Sequence, residues 1–318
     1  MDTMFLSMKE IAAAKARVAL MSGVVAMITL LLIMLSGLTG GLGKQNTQAL
    51  ESLDAPGFVF ADNQDPSFST SQVTGPGALG IAQTRVGGDA AALFALAPGY
   101  ASPVGKIPAE GLIASESLGF APGDVVEFAG QPVEIVAVSP DSYYSHIPVV
   151  WGPTSLWRQA MHSDEDGTVL LADTPDALTT TEAFAALPAY KSERGSLLTM
   201  QALLYAISAL VTVAFLSVWT IQRTRDLSIL RALGASSRYL LKDAMSQSAF
   251  LVGIGVLAGT VAGVGLGWLA SRAVPFQQDL VTVAGPALGV WVLGMLGAFL
   301  ATRRVTKTNP LLALGGNA

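Results

Sequence analysis

Four long apolar stretches, separated by polar joints of very unequal length, organise this chain. Residues 18–42, 196–221, 244–270 and 281–301 contain no charged side chain. At ~1.5 Å per residue each is long enough, as a helix, to cross a hydrocarbon core of ~30 Å. The pattern predicts an integral membrane α-helical protein with four transmembrane helices. Residues 43–195 form one large polar insert between the first and second spans, while 222–243 and 271–280 are short loops and 302–318 is a tail. In 1–17, Phe5, Met8, Ile11 and Ala12 suggest a helix lying along the interface. Lys15 falls near the same face, where its stem must snorkel. The apolar run after Arg17 is longer than the ~7–15 residues of a signal-peptide core, so it reads as an uncleaved anchor.

The insert follows another rhythm. Phe58-Val-Phe60, Val125-Val-Glu-Phe128 and Val133-Glu-Ile-Val-Ala-Val138 read as strands, with Ala129-Gly130-Gln131-Pro132 as a hairpin-type turn between the last two. Gly111-Leu-Ile and Thr168-Val-Leu-Leu are further strand candidates, and 90–96 reads as a short helix. Pro, Gly and Ser punctuate the rest. The expectation is a small α+β extracellular domain inserted between helices 1 and 2, with 45–53 prolonging the first helix as a stalk.

Charge orients this layout. Of 318 residues 51% are hydrophobic and 13% charged, a balance foreign to ordinary soluble domains and to disordered chains. The net charge of −5 conceals an asymmetry: 1–17, 222–243 and 302–318 hold eleven of the eighteen basic residues. Residues 44–194 hold eighteen acids against six bases, a net of −12. Basic loops stay cytoplasmic. Both termini are therefore expected inside a plasma membrane and the acidic insert outside it. A basic inner face suits anionic lipid and gives no reason to propose nucleic acid.

Little in the chain can do chemistry alone. There is no cysteine, which removes disulfides and thiolate metal sites. No Gly-x-x-x-x-Gly-Lys-Ser/Thr loop is present, so the chain is not itself an ATPase. Gly253-Ile-Gly255 lies within a span rather than after a strand, out of place for a dinucleotide fold. His146, beside Tyr143 and Tyr144, reads either as a surface-loop residue or as a ligand to metal or haem. Asp164-Glu-Asp-Gly167 lacks the later ligands of a calcium loop and reads as a charged turn. No catalytic residue, metal site or intrinsic cofactor is expected. Spacing is more informative: Gly255, Gly259, Gly263 and Gly267 recur every fourth residue and line one smooth stripe for helix packing. Gly285 and Gly289 repeat the spacing, and Gly37, Gly40, Gly41 and Gly43 crowd the outer end of the first span.

The loop 222–243 has its own pattern. Leu227, Leu230 and Leu233 recur at helical spacing with Ile229 beside them. Gly234 is placed to end that helix, and Ser236 or Ser237 to cap the next. Such a helix either docks on a partner or lies on lipid. The run Asp226-Leu-Ser-Ile-Leu-Arg-Ala-Leu-Gly-Ala-Ser resembles the loop signature of the MacB/FtsX family (type VII) of ABC-transporter permeases. Arg303-Arg-Val-Thr-Lys-Thr-Asn-Pro310-Leu-Leu-Ala-Leu resembles the closing motif of that family. The resemblance implies four spans with a large domain between the first and second. It implies a coupling helix, carrying Asp226, Leu227, Leu230, Arg231, Leu233 and Gly234, seated in a cleft of a separate ATPase subunit. It further implies two such ATPase subunits, which bind ATP and Mg, and a homodimer whose first two spans face each other. Residues 5–53, notably Leu35-Ser-Gly-Leu-Thr-Gly-Gly-Leu-Gly-Lys-Gln-Asn, also resemble the haem-exporting permeases of actinobacteria.

The spans hold almost no ionisable side chains, which disfavours an ion or sugar path inside one copy. A hydrophobic or amphipathic cargo between two copies suits such walls, and haem is one. Thioethers and phenolate or carboxylate oxygens can ligate haem iron. On depth and chemistry alone, the haem or cargo candidates are Met27, Met34 and Met200, with Tyr205 in the second span and Glu51 on the stalk. The competing reading of each methionine is soft core packing. The function expected is that of the permease subunit of an ABC efflux pump exporting haem. The alternatives are FtsX-like mechanotransmission to a cell-wall hydrolase, and export of lipids, lipoproteins or antimicrobial peptides.

Overall fold

The computed structural model describes residues 15–222 and 236–306. The chain divides into two units, Met1–Gly40 with Leu197–Ala318, and Gly41–Ser196. Among the described residues there are six α-helices: α1 Lys15–Ser52, α2 Thr154–Met161, α3 Thr180–Ala183, α4 Pro188–Gln222, α5 Ser237–Ala270 and α6 Leu280–Thr306. Four of these, α1, α4, α5 and α6, are long and apolar enough to cross a membrane.

The first unit is a bundle of these four helices. Val25, Leu32, Val252 and Val290 pack at its centre. Its outward side chains are also apolar, among them Leu31, Leu210, Leu257, Val261 and Leu288. Exposed to water, such a surface would cost ~25 cal/mol per Å²; lipid removes that cost. Polar groups in the bundle are satisfied locally. Thr29 and Thr302 donate to the carbonyls of Val25 and Ala298, each at 2.8 Å, the back-bonding open to a hydroxyl in a helix. Ser236 caps α5, its Oγ accepting from the Tyr239 N–H at 3.2 Å.

The second unit is β-rich. Its strands are β1 Phe58–Val59, β2 Ala78–Val86, β3 Asp89–Leu96, β4 Ala101–Ser102, β5 Gly105–Lys106, β6 Leu112–Ser115, β7 Val125–Phe128, β8 Gln131–Ser139, β9 Tyr143–Tyr144, β10 Ile147–Pro153 and β11 Val169–Leu171. Nine form one sheet, in the order β1-β11-β2-β3-β10-β6-β8-β7 with β9 beside β10; β4 and β5 form a separate hairpin. Val86 of β2 also pairs with Phe128 of β7. The path β2-β3-β10-β6-β8-β7 thereby closes on itself, which removes free edges from the ring. One core gathers Leu93, Leu112, Phe128, Ile135, Val150 and Trp157. The other gathers Phe58, Phe68, Phe94, Tyr144 and Trp151, and takes in Ala49 and Leu50 of α1. Burial pushes the Tyr144 hydroxyl above the ordinary phenol range.

Two sequence expectations are corrected here. Residues 90–96 are not a helix; they lie in β3, buried from Ala91 to Leu96. A strand covered on both faces loses the alternation that marks a half-exposed one, and Ala-Ala-Leu-Phe-Ala-Leu then has the composition of a helix. The pairing of β3 with β2 on one side and β10 on the other overrides that preference. The turn between β7 and β8 is also shorter than four residues. Only Ala129 and Gly130 form it, at φ 48° and 77°, while Phe128 pairs directly with Gln131. Two residues with positive φ match the twist of the flanking strands.

Candidate functional site

Three glycines of α5 lie against α1. A β-carbon at Gly255 would meet the Ser22 carbonyl and the Val25 side chain at 2.7 Å, and one at Gly259 would meet Thr29 at the same distance. At Gly263 the neighbour is Ile33, at 3.1 Å. Absent side chains let the two backbones approach, and Ser22 Oγ donates to the Leu251 carbonyl at 3.0 Å across the seam. The fourth glycine of the stripe, Gly267, faces Phe276 instead. Smaller seams lie on α6, where a β-carbon at Gly289 would meet Tyr205, at Gly294 Val252 and at Gly297 Val213, each at 2.8 Å.

The loop between α5 and α6 folds back onto the bundle. Phe276 rests on Gly37 and Gly267, and the Gln277 N–H donates to the Gly37 carbonyl at 2.9 Å. Gln278 Nε2 donates to the Val264 carbonyl at 2.9 Å. Asp279 then caps α6: its Oδ1 accepts from the Thr282 N–H at 2.8 Å. That backbone hydrogen bond, helped by the Thr282 hydroxyl, holds the Asp279 carboxyl below the ordinary range. The Arg272 guanidinium lies 3.9 Å from the centre of the Trp268 ring. Gly37, Gly40, Gly41 and Gly43 of α1 pointed to close approach, but nothing in the sequence named Phe276 as what fills the space.

The cargo candidates are scattered. Met27 on α1 and Met200 on α4 are exposed on outward faces, continuing Leu20 and Leu31 on α1 and Leu203, Ile207 and Leu210 on α4. Met34 is partly buried. Tyr205 turns into the bundle, packed on the core and over Gly289. Glu51 belongs to the β-rich unit, where it is exposed and accepts from Thr47 Oγ at 2.7 Å. Asp226, Leu227, Leu230, Arg231, Leu233 and Gly234 lie outside the described residues. So do residues 1–14 of the expected interfacial helix and 307–318 of the tail.

Residues 198–310 match the FtsX-like permease C-terminal family. The chain is similar to the putative hemin transport system permease protein HrtB of Staphylococcus epidermidis, at 24% identity over 98% of this chain and 99% of that protein. The protein of the same name from Staphylococcus haemolyticus is 23% identical, with the same coverage. LolC, a lipoprotein-releasing system transmembrane protein of Neisseria meningitidis, is 36% identical, but over 30% of this chain and 23% of its own length. The resemblance read from the sequence is thus borne out. Residues 198–310 carry an FtsX-like permease domain, and the whole chain is similar to permease proteins of transport systems.

Proposed function

We propose that this permease exports haem from the plasma membrane, acting as a homodimer driven by two separate ATPase subunits. The observation that carries the reading is the likeness to hemin transport permeases over 98% of the chain, which takes in the β-rich unit as well as the helices. The surfaces are of the right kind. The outward faces of α1 and α4 are continuous apolar stripes, each with one exposed thioether, Met27 and Met200. Two copies meeting through these helices enclose walls that accept a flat apolar macrocycle, and a thioether can ligate its iron. Termini and residues 223–235 lie in the cytoplasm, where the segment around Leu230 docks on the ATPase. Nucleotide-driven closure of the two ATPases shifts that segment, and α1 and α4 act as levers that switch the cargo space between two states.

The test uses the permease reconstituted with its ATPase partner in lipid nanodiscs. Hemin is expected to give a Soret band and to stimulate ATP hydrolysis several-fold, and Met27→Ala with Met200→Ala to weaken both. Leu230→Asp or Gly234→Trp is expected to abolish stimulation while hemin still binds. Neither a band nor stimulation would remove haem as the cargo. The match to LolC favours one other reading, export of a lipid-anchored protein; in that case a lipopeptide, and not hemin, stimulates the ATPase.

A further inference from the structure

β9 and β10 are joined by a two-residue turn, Ser145–His146, with φ of 49° and 66°. Such turns favour Asn-Gly, so Ser-His holds a strained backbone that its surroundings must over-determine. The surroundings are helical. The Ser145 N–H donates to the Asn46 carbonyl and the His146 N–H to the Gln45 carbonyl, both at 3.2 Å, which seats the tip of the hairpin on α1. His146 Nε2 then lies 3.0 and 2.9 Å from the two carboxylate oxygens of Glu193, near the start of α4. Asn46 Nδ2 is 3.1 Å from the same nitrogen and 2.8 Å from Glu193 Oε2. Three side chains from three distant segments converge on one point.

The hydrogen-bond count there does not close. Asn46 is 1% exposed, and its Oδ1 is buried with no donor. With Nδ2 turned inward, the carboxylate can accept from both Nδ2 and Nε2, but the amide oxygen is left without a donor, a costly state for a buried group. Turning the amide over places Oδ1 beside Nε2 and Oε2 and moves Nδ2 to the position the oxygen leaves. Three lone-pair donors then face one another, and a cation satisfies that set where a single shared proton does not.

We propose that Asn46 Oδ1, His146 Nε2 and the Glu193 carboxylate bind a divalent first-row cation. A six-coordinate metal ~2.1 Å from each ligand sets cis ligands roughly 3 Å apart, which is the spacing present. One imidazole nitrogen with oxygen ligands suits zinc and its first-row neighbours better than magnesium. The side chains of His146 and Glu193 are 29% and 40% exposed, so an ion can enter and keep water ligands. Among the described residues no three His, Cys, Asp or Glu side chains converge; the site emerges only when an amide oxygen is counted. The bound ion ties α1, α4 and the hairpin together.

The experiment is zinc titration of the untagged full-length chain in detergent, by calorimetry and thermal unfolding. One zinc per chain is expected, with a raised Tm. His146→Gln and Glu193→Gln, which keep size and hydrogen-bonding capacity, should each weaken binding at least tenfold. Asn46→Asp should tighten it about tenfold, because a carboxylate replaces the amide oxygen; in a plain hydrogen-bonded latch the same change sets two carboxylates against each other and only lowers Tm. No saturable binding of zinc or cobalt, an affinity unchanged in the Gln variants, or no gain in Asn46→Asp overturns the proposal.

Discussion

Gly259 stands where a β-carbon would meet Thr29 of α1 at 2.7 Å, whereas one at Gly265, six residues on, would meet nothing within 4 Å. The two positions share a residue type and a helix but differ in what faces them. Gly259→Val should therefore destabilise the bundle by ~1–3 kcal/mol through overpacking, and Gly265→Val should leave it nearly unchanged. Thermal unfolding of both variants in the same detergent checks the contrast. Asp279 offers a pH test. Its folded-state value lies below the ordinary carboxylate value of ~3.9. The cap therefore contributes above the unfolded value and fades as pH falls through the folded one. Asp279→Ala should cost ~1 kcal/mol at neutral pH, as lost caps do, and the difference from the unsubstituted chain should shrink below pH 4.

At the scale of elements, what could be read in advance depended on how strongly local sequence dictates conformation. The four long apolar helices were legible because a helix in lipid must satisfy its own backbone, so twenty apolar residues admit few other structures. The strands Val125–Phe128 and Gln131–Ser139 were legible because they are rich in valine and isoleucine and flank a Gly-containing turn. β3 was not, since burial on both faces erased its period, and β2 and β10 went unread beside it. The glycine stripe announced a seam; its partners Ser22, Val25 and Thr29 carry no distinguishing pattern. The convergence of Asn46, His146 and Glu193 is a product of tertiary folding, and no spacing foretells it. One packing contact tests the closed sheet. A β-carbon at Gly80 of β2 would collide with the indole of Trp157, whose Nε1 donates to the Ile81 carbonyl at 3.2 Å. Gly80→Val should displace α2 and lower stability by ~1–3 kcal/mol, with a red shift in tryptophan emission as the check.

For the whole molecule, the proposed dimer makes a positional prediction. The chain has no cysteine, so a single introduced thiol reports without background. Met27→Cys, on the outward face of α1, should be captured as a covalent dimer by a short bis-maleimide in membranes. Leu257→Cys, equally exposed on α5, should not. Capture at Leu257 alone would place the meeting of two copies on the wrong helix. Phe276 carries a different implication. Its ring occupies the volume that side chains at Gly37 and Gly267 would need, so the three positions share a single allotment of space. Enlarging either glycine evicts the ring, and shrinking the ring leaves a void. Drift at these sites is therefore tolerated only as a trade, bulk gained at one position for bulk surrendered at another.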